Sequence, residues 1–307
     1  MIVNDLSTKG QGMLTRINLI GYASSLGANH PGSAEGPLQL QRTRTYKQLA
    51  KQKFAFNWQA MLKPLTLEPN QVPVLAELNK RLAKYTQKLV CDQLRFLVIG
   101  GDHSSGIGTW SGAQTAIQPH GNLGLIWIDA HLDSHTPETT PSGNIHGMPL
   151  ACLLGYGDAA FTGICHNAPK ILPANLCLIG VRSFESGEAE LLEKLKVRIY
   201  FIDEVKQRGL DTVLNEAREL VTKNTVGYGL SIDLDAIDPR DAPGVSAPVA
   251  NGLCAKELVQ ALAPFNKDKH LLGVELAEYN PQHDIEHRTA KLSCEIINTL
   301  FNPDISD

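Results

Sequence analysis

The segment LGLIWID, residues 123–129, is continuously apolar up to the aspartate that ends it. A strand with one face in water alternates apolar and polar side chains, whereas a strand covered on both faces carries apolar side chains throughout. The segment is therefore typical of a buried strand in a parallel sheet. Short apolar runs rich in β-branched residues recur along the chain, at residues 16–22, 95–100, 176–181, 197–202, 227–233 and 271–276.

Segments with helical periodicity lie between these predicted strands. A helix is expected to begin near Ser104 or Ser105, and strand–helix alternation of this kind predicts an α/β fold. We expect three layers (αβα) built on a doubly wound, mostly parallel sheet, in a single domain over residues 1–307. Apolar residues repeat at three- and four-residue spacing at residues 74–90, 189–196, 210–224 and 255–265.

Composition excludes several classes of protein. The 307 residues are 43% hydrophobic and 20% charged, which argues against disorder, and the formal net charge is −4. A chain without a strong basic field is not expected to bind nucleic acid or an anionic membrane surface by electrostatics alone. The six cysteines form no C-x-x-C pair, and no apolar run reaches the roughly 18 residues of a membrane span. We therefore expect a reduced, cytoplasmic protein.

Three candidate metal ligands follow the strand predicted at residues 123–129. Asp129, His131 and Asp133 alternate along the chain, and a period of two sends their side chains to the same side of a strand. Mixed carboxylate and imidazole ligands suit Mn²⁺, Zn²⁺ or Fe²⁺. A salt-bridged loop is the alternative, but no Lys or Arg lies in the segment to neutralise the acids.

A second acidic pair strengthens the prediction of a metal site. Asp233 and Asp235 stand two residues apart at the end of the run at residues 227–233, whereas Asp238, which precedes a proline, is expected to be a turn residue. Burying one carboxylate costs several kcal/mol, so grouping four of them without cations is prohibitive. A dinuclear cation centre would resolve this repulsion.

These segments resemble the ureohydrolase (arginase/agmatinase) family, whose members share GGDHS, DAHxD and SxDxDxxDP segments. The three occur here in that order, at residues 100–104, 129–133 and 231–239, and GSAEGP at residues 32–37 extends the resemblance over nearly the whole chain. The resemblance implies two Mn²⁺ ions per chain that share a hydroxide and are bridged by Asp129 and Asp233. One ion would be held by His103, Asp129, Asp133 and Asp233, and the other by Asp129, His131, Asp233 and Asp235.

The loop TPETTPSGNIHG, residues 136–147, is similar to the arginase form of this segment. The resemblance therefore implies hydrolysis of L-arginine to L-ornithine and urea. In that reaction His146 would be the proton shuttle, Glu278 would hold the guanidinium group and Asp133 would accept a hydrogen bond from the hydroxide. Glu275 is a less certain partner of the guanidinium, with a structural ion pair as its alternative. The residues implied for binding the amino-acid end of the substrate are His135, Thr140, Ser142, Asn144 and Glu185.

Three departures from the arginase pattern concern the substrate rather than the metals. His135 stands where most arginases have Asn, Glu185 replaces an Asp in the segment RSFESGE, and VSAPVANG at residues 245–252 loses hydroxyl and glycine positions. The alternative function is therefore hydrolysis of another guanidino or formimino compound, of the agmatinase or formimidoylglutamase type. A catalytically idle relative that serves as a binding subunit is a third alternative. Family resemblance also implies a homo-oligomer, either a trimer or a hexamer.

Overall fold

The computed structural model describes residues 14–302, so residues 1–13 and 303–307 of the predicted domain lie outside the described part of the chain. The strands are β1 Thr15–Tyr22, β2 Phe54–Leu62, β3 Phe96–Ile99, β4 Leu123–Ile128, β5 Leu176–Val181, β6 Arg198–Phe201, β7 Gly227–Asp233 and β8 Leu271–Ala277. The helices are α1 Gly36–Arg42, α2 Arg44–Gln52, α3 Gln71–Cys91, α4 Ser105–Ile117, α5 Pro149–Leu153, α6 Ala159–Thr162, α7 Ser186–Lys194, α8 Ile202–Arg208, α9 Leu210–Thr222, α10 Ala255–Ala261 and α11 Arg288–Phe301.

The strands form one sheet in the order β2-β1-β3-β8-β7-β4-β5-β6, and every described pairing is parallel. The seven predicted strands are confirmed, and the sheet is wholly rather than mostly parallel. Strand β2 was not predicted, because an edge strand is covered less completely and carries polar residues such as Asn57 and Gln59. Helix α11 was also missed, whereas the four periodic segments correspond to α3, α7, α9 and α10, the last followed by a short 3₁₀ turn.

Two hydrophobic clusters cover the two faces of the sheet, which confirms the three-layer architecture. In β4 the side chains alternate between them: Ile126 and Ile128 belong to one cluster, and Leu125 and Trp127 belong to the other. The first cluster includes residues of α2, α8, α9, α10 and α11, and the second includes residues of α3, α4, α5, α6 and α7. Within residues 14–302, each helix is too short or too polar to span a bilayer.

The carboxyl ends of four neighbouring strands define one stretch of the sheet edge. His103 follows β3, Glu278 follows β8, Asp233 ends β7 and Asp129 follows β4, and these strands are adjacent in the order β3-β8-β7-β4. Open parallel sheets place their ligand sites at this edge. The topology therefore brings together residues that lie up to 175 positions apart along the chain.

Candidate metal centre and active site

His103 lies at the centre of the first group of candidate ligands. Its Nδ1 atom is 3.2 Å from Asp129 Oδ2, 3.2 Å from Asp133 Oδ2 and 3.0 Å from Asp233 Oδ2. All four side chains are buried. Three carboxylate oxygens around one ring nitrogen form a compact donor set that a divalent cation can share.

His131 marks a second group beside the first. Its Nδ1 atom is 3.5 Å from Asp129 Oδ1 and 3.2 Å from Asp235 Oδ2. Asp129 therefore contributes one oxygen to each group, which suits a carboxylate that joins two cation sites, while Asp233 belongs to the group around His103. The structure brings all six predicted metal ligands together, although strand alternation is not the cause.

Local turns, rather than a continued strand, aim these side chains. Strand β4 ends before Asp129, whose Oδ1 accepts a hydrogen bond from the His131 backbone N–H at 2.7 Å, and Asp133 has a φ of +48°. Likewise the Asp235 N–H donates to Asp233 Oδ1 at 2.8 Å within a 3₁₀ turn. The expectation that a period of two aligns the ligands was wrong in mechanism, because side chain-to-backbone bonds bend the chain directly after each strand.

The buried carboxylates among the six candidate metal ligands repel one another, and bound cations would relieve this repulsion. Burial together with the charge of Asp129 raises the pKa of Asp133 to about 7. Burial and the charges of Asp235 and Asp129 raise the pKa of Asp233 well above its usual range. Burial lowers the pKa of His103, but its three carboxylate neighbours outweigh this and raise it. Among the described residues, buried His103 Nδ1 and Asp133 Oδ2 have no hydrogen-bond partner of acceptable geometry. Metal cations would satisfy these atoms, so the donor set fits such ions.

Glu278 and His146 form a pair next to the metal ligands. Glu278 adopts a left-handed backbone conformation with a φ of +64°, and its Oε1 atom accepts from the His103 backbone N–H and lies 3.0 Å from His146 Nδ1. Burial opposes protonation of His146, but the bond to Glu278 prevails and raises the His146 pKa to about 9. Buried Glu278 Oε2 has no hydrogen-bond partner within residues 14–302, which leaves a carboxylate oxygen available for a cationic ligand.

Two hydrogen bonds that could not be predicted from the sequence hold the His146 backbone in place. The His146 N–H donates to the Gly27 carbonyl at 2.9 Å, and the Gly27 N–H donates to Asp102 Oδ2 at 2.8 Å. Asp102 thus anchors the loop that supports His146. Its position beside His103 in the GGDHS segment was the available signal, but the contact with residue 27 depends on tertiary structure.

The residues predicted to bind the amino-acid end lie in a more exposed region. His135 Nε2 is 3.1 Å from Glu185 Oε2 and 3.7 Å from Glu188 Oε2, and these three side chains form a third group that could hold a cation. The hydroxyls of Thr140 and Ser142 accept bonds from backbone N–H groups of their own loop, and the Asn144 side chain is partly exposed. Among the described residues, no hydrogen bond joins Thr140, Ser142 or Asn144 to the six candidate metal ligands.

Glu275 does not take either role considered for it. The side chain is fully buried, without an ion pair among the described residues, and it accepts hydrogen bonds from neutral groups. Trp127, which the sequence did not single out, lies beside this site. Its ring stacks on that of His103 with centroids 4.0 Å apart, and its Nε1 donates to Asp129 Oδ2 at 2.9 Å.

Comparison with known proteins agrees with this site. The model of the arginase family matches residues 15–302. This chain belongs to the arginase family. An arginase from Bacillus caldovelox is 42% identical over 228 residues, which cover 74% of this chain and 75% of that protein. The crystal structure of arginase from Bacillus caldovelox matches with a TM-score of 0.87 and 34% identity, over 95% of this chain and 100% of that one.

One of the arginase structures similar to this chain contains a bound ligand. A structure of Entamoeba histolytica arginase in complex with L-ornithine matches with a TM-score of 0.85 and 30% identity, covering 94% of this chain and 98% of that one. The resemblance found in the GGDHS, DAHxD and SxDxDxxDP segments is thereby confirmed. As a member of the arginase family, the protein is a hydrolase that acts on guanidino compounds.

Proposed function

We propose that the protein is a manganese-dependent enzyme that hydrolyses L-arginine to L-ornithine and urea. The observation that carries the proposal is the pair of ligand groups that share Asp129, set directly beside Glu278 and His146. Carboxylates outnumber imidazoles among the six candidate ligands, which favours Mn²⁺ over Zn²⁺. Two Mn²⁺ ions would be held by His103, Asp129, His131, Asp133, Asp233 and Asp235.

Glu278 supplies the guanidinium site in this proposal. Its Oε1 atom is already engaged with His103 N and His146 Nδ1, whereas the buried Oε2 atom has no hydrogen-bond partner in the described part of the chain. A guanidinium group donates several N–H bonds and carries a positive charge, so it satisfies this oxygen with a charge-assisted hydrogen bond. The guanidino carbon is then held beside the metal ligands.

Bound metal ions would lower the pKa of a water molecule, so that hydroxide is available at neutral pH. His146 would then supply a proton to the amine that leaves the guanidino carbon. Its Nδ1 atom bonds to Glu278, so Nε2 is the ring nitrogen left to exchange a proton. The Glu278 contact also favours the protonated imidazole, because it raises the His146 pKa to about 9, and a proton donor is what the leaving amine requires.

The amino-acid end of the substrate would be bound at the exposed rim. Glu185 and Glu188 offer negative charge to an α-ammonium group, and the loop that carries Ser142 and Asn144 offers donors to an α-carboxylate. His135 contacts Glu185 at 3.1 Å, so a bound α-ammonium would share that carboxylate with the imidazole. This part of the proposal distinguishes L-arginine from guanidino compounds without an α-carboxylate.

Product release, measured with and without added Mn²⁺, tests the substrate. L-arginine and agmatine would release urea, whereas formimidoylglutamate, whose formimino carbon carries only two nitrogens, would release formamide and is assayed for that product. We expect Mn²⁺-dependent release of urea and ornithine from L-arginine. The kcat/KM for agmatine should be lower by a factor on the order of 10² or more, because agmatine has no α-carboxylate and leaves the polar groups that would bind it unpaired. Equal kcat/KM for agmatine and L-arginine, or turnover of formimidoylglutamate alone, would assign the site to the alternative substrates. Absence of any turnover with Mn²⁺ would refute the proposed enzyme.

A further inference from the structure

A buried carboxylate that forms no ion pair with any described residue lies next to the proposed metal centre. Glu275, inside β8, is 0% exposed. Its Oε1 atom accepts from Ser105 Oγ at 2.7 Å and Thr109 Oγ1 at 2.9 Å, and its Oε2 atom from Trp110 Nε1 at 3.0 Å and Ser231 Oγ at 2.8 Å. Burying a carboxylate is costly unless hydrogen bonds compensate. Four donors compensate the burial of Glu275, which is not part of the proposed substrate site, so a role other than substrate binding has to be considered.

The sheet register connects this carboxylate to the metal ligands. Ser231 in β7 pairs with Glu275 on one side and with Trp127 of β4 on the other. The Ser231 Oγ atom lies 2.9 Å from His103 Nε2, and the Trp127 ring stacks on the His103 ring. A continuous path of hydrogen bonds therefore runs from Glu275 through Ser231 to His103.

The number of protons on each group decides which one donates in each hydrogen bond of this path. A carboxylate can only accept hydrogen bonds, and a serine hydroxyl has a single proton. The Ser231 hydroxyl therefore donates to Glu275, and its oxygen can only accept from His103 Nε2–H. With the Nε2 atom protonated, the Nδ1 atom carries the lone pair in the neutral ring, and Nδ1 is the atom that faces Asp129, Asp133 and Asp233.

We propose that Glu275 is a positioning residue which, acting through Ser231, fixes His103 in the tautomer whose Nδ1 binds a divalent cation. The inference rests on the proposed function, since it requires that the group around His103 holds an ion. Trp127 fixes the plane of the ring by stacking, and Ser231 fixes which nitrogen is protonated. Outer-shell partners of this kind commonly raise metal affinity by 10- to 100-fold.

Calorimetric titration of chelator-treated protein with MnCl₂ tests the proposal without reference to activity. In Ser231→Ala we expect one of the two Mn²⁺ affinities to fall by about 10- to 100-fold, because His103 loses the acceptor that sets its tautomer. The other affinity should stay within about threefold of wild type, since His131 and Asp235 do not contact this path. Ser105→Ala is the matched control: it also removes one hydroxyl from Glu275 but leaves the Ser231 bond intact, so both affinities should be retained.

Two changes at Glu275 separate its polarity from its packing. Glu275→Leu should reproduce the loss seen in Ser231→Ala. Glu275→Gln should rescue binding, because its amide oxygen can face the donors Trp110 and Ser231 while its NH₂ group faces the hydroxyls of Ser105 and Thr109, which can accept. Circular dichroism and the Tm of each metal-free variant verify folding.

The outcomes distinguish the two proposals. If wild-type protein binds no Mn²⁺, the proposed function fails and the positioning role fails with it. If wild type binds two ions but Ser231→Ala behaves like Ser105→Ala, or loses both affinities equally, the positioning role alone is overturned. Imidazole ¹⁵N spectra of wild-type protein loaded with diamagnetic Zn²⁺ decide the matter should the variants not fold. The inference predicts a protonated His103 Nε2, and a protonated Nδ1 would contradict it.

Discussion

The pair formed by His146 and Glu278 predicts a pH-dependent contribution to stability when metal is removed with EDTA. The His146 side chain is 23% exposed and its Nδ1 atom lies 3.0 Å from Glu278 Oε1. This contact raises the His146 pKa from 6.5 to about 9 despite the opposing effect of burial. Because each tenfold change in proton affinity is worth about 1.4 kcal/mol, protonation of His146 stabilises the folded state by roughly 3 kcal/mol.

The sign of the effect follows from the folded-state pKa being higher than that of the unfolded chain. The stabilisation is fully present below about pH 6.5, declines as the pH rises toward 9 and is absent above that value. Replacing His146 by Asn removes it. The free energy of unfolding of wild type should therefore exceed that of His146→Asn by about 3 kcal/mol more at pH 6 than at pH 9.5.

Urea denaturation in EDTA, followed by far-UV circular dichroism at several pH values, measures this difference. His120→Asn, at an exposed histidine outside the site, controls for the exchange of imidazole for amide. In a Glu278→Gln background the His146→Asn difference should lose most of its pH dependence, because the charged partner is gone. A wild-type minus His146→Asn difference that is constant between pH 6 and 9.5 would refute the reasoning.

Three further predictions concern metal and substrate. Asp129→Asn should lower the Mn²⁺ content from two ions per chain and abolish urea release, because this residue contributes an oxygen to both groups; unchanged metal content by elemental analysis would contradict its shared role. Glu278→Gln should lower kcat/KM for L-arginine by about 10²-fold or more through loss of a charge-assisted bond while metal content is retained, and loss of the metals instead would place Glu278 among the ligands. Glu185→Gln should raise the KM for L-arginine only severalfold, because this side chain is 63% exposed and exposed charge pairs contribute about 0.2–1 kcal/mol. An unchanged KM would show that Glu185 is not part of the substrate site.

The fold was predictable wherever burial is complete. Strands such as β4 and β5 are apolar throughout because helices cover both of their faces, and that pattern is visible in the sequence. Strand β2 escaped prediction because it lies at the edge of the sheet, where partial exposure permits polar residues. The rule that identified the central strands therefore failed at this edge, although β6 at the opposite edge was predicted from its short apolar run.

The candidate site was predictable in its residues but not in its supporting contacts. The carboxylates after β4 and β7 are revealing because strand ends of a parallel sheet meet at one edge, whereas the turns that aim Asp133 and Asp235 required the structure. Glu275, in β8, accepts hydrogen bonds from residues of α4 and β7 that lie 44 to 170 positions away from it. Spacing along the sequence holds no information about such contacts.

The central claim is that two Mn²⁺ ions at the ligand groups around His103 and His131 enable hydrolysis of L-arginine. Titration of chelator-treated protein with MnCl₂, with urea release from L-arginine measured at each ratio of metal to protein, tests it most directly. We expect urea release to rise with added Mn²⁺ and to reach its plateau at two equivalents of Mn²⁺ per chain. Urea release that is already maximal in metal-free protein, or a plateau at one equivalent, would contradict it.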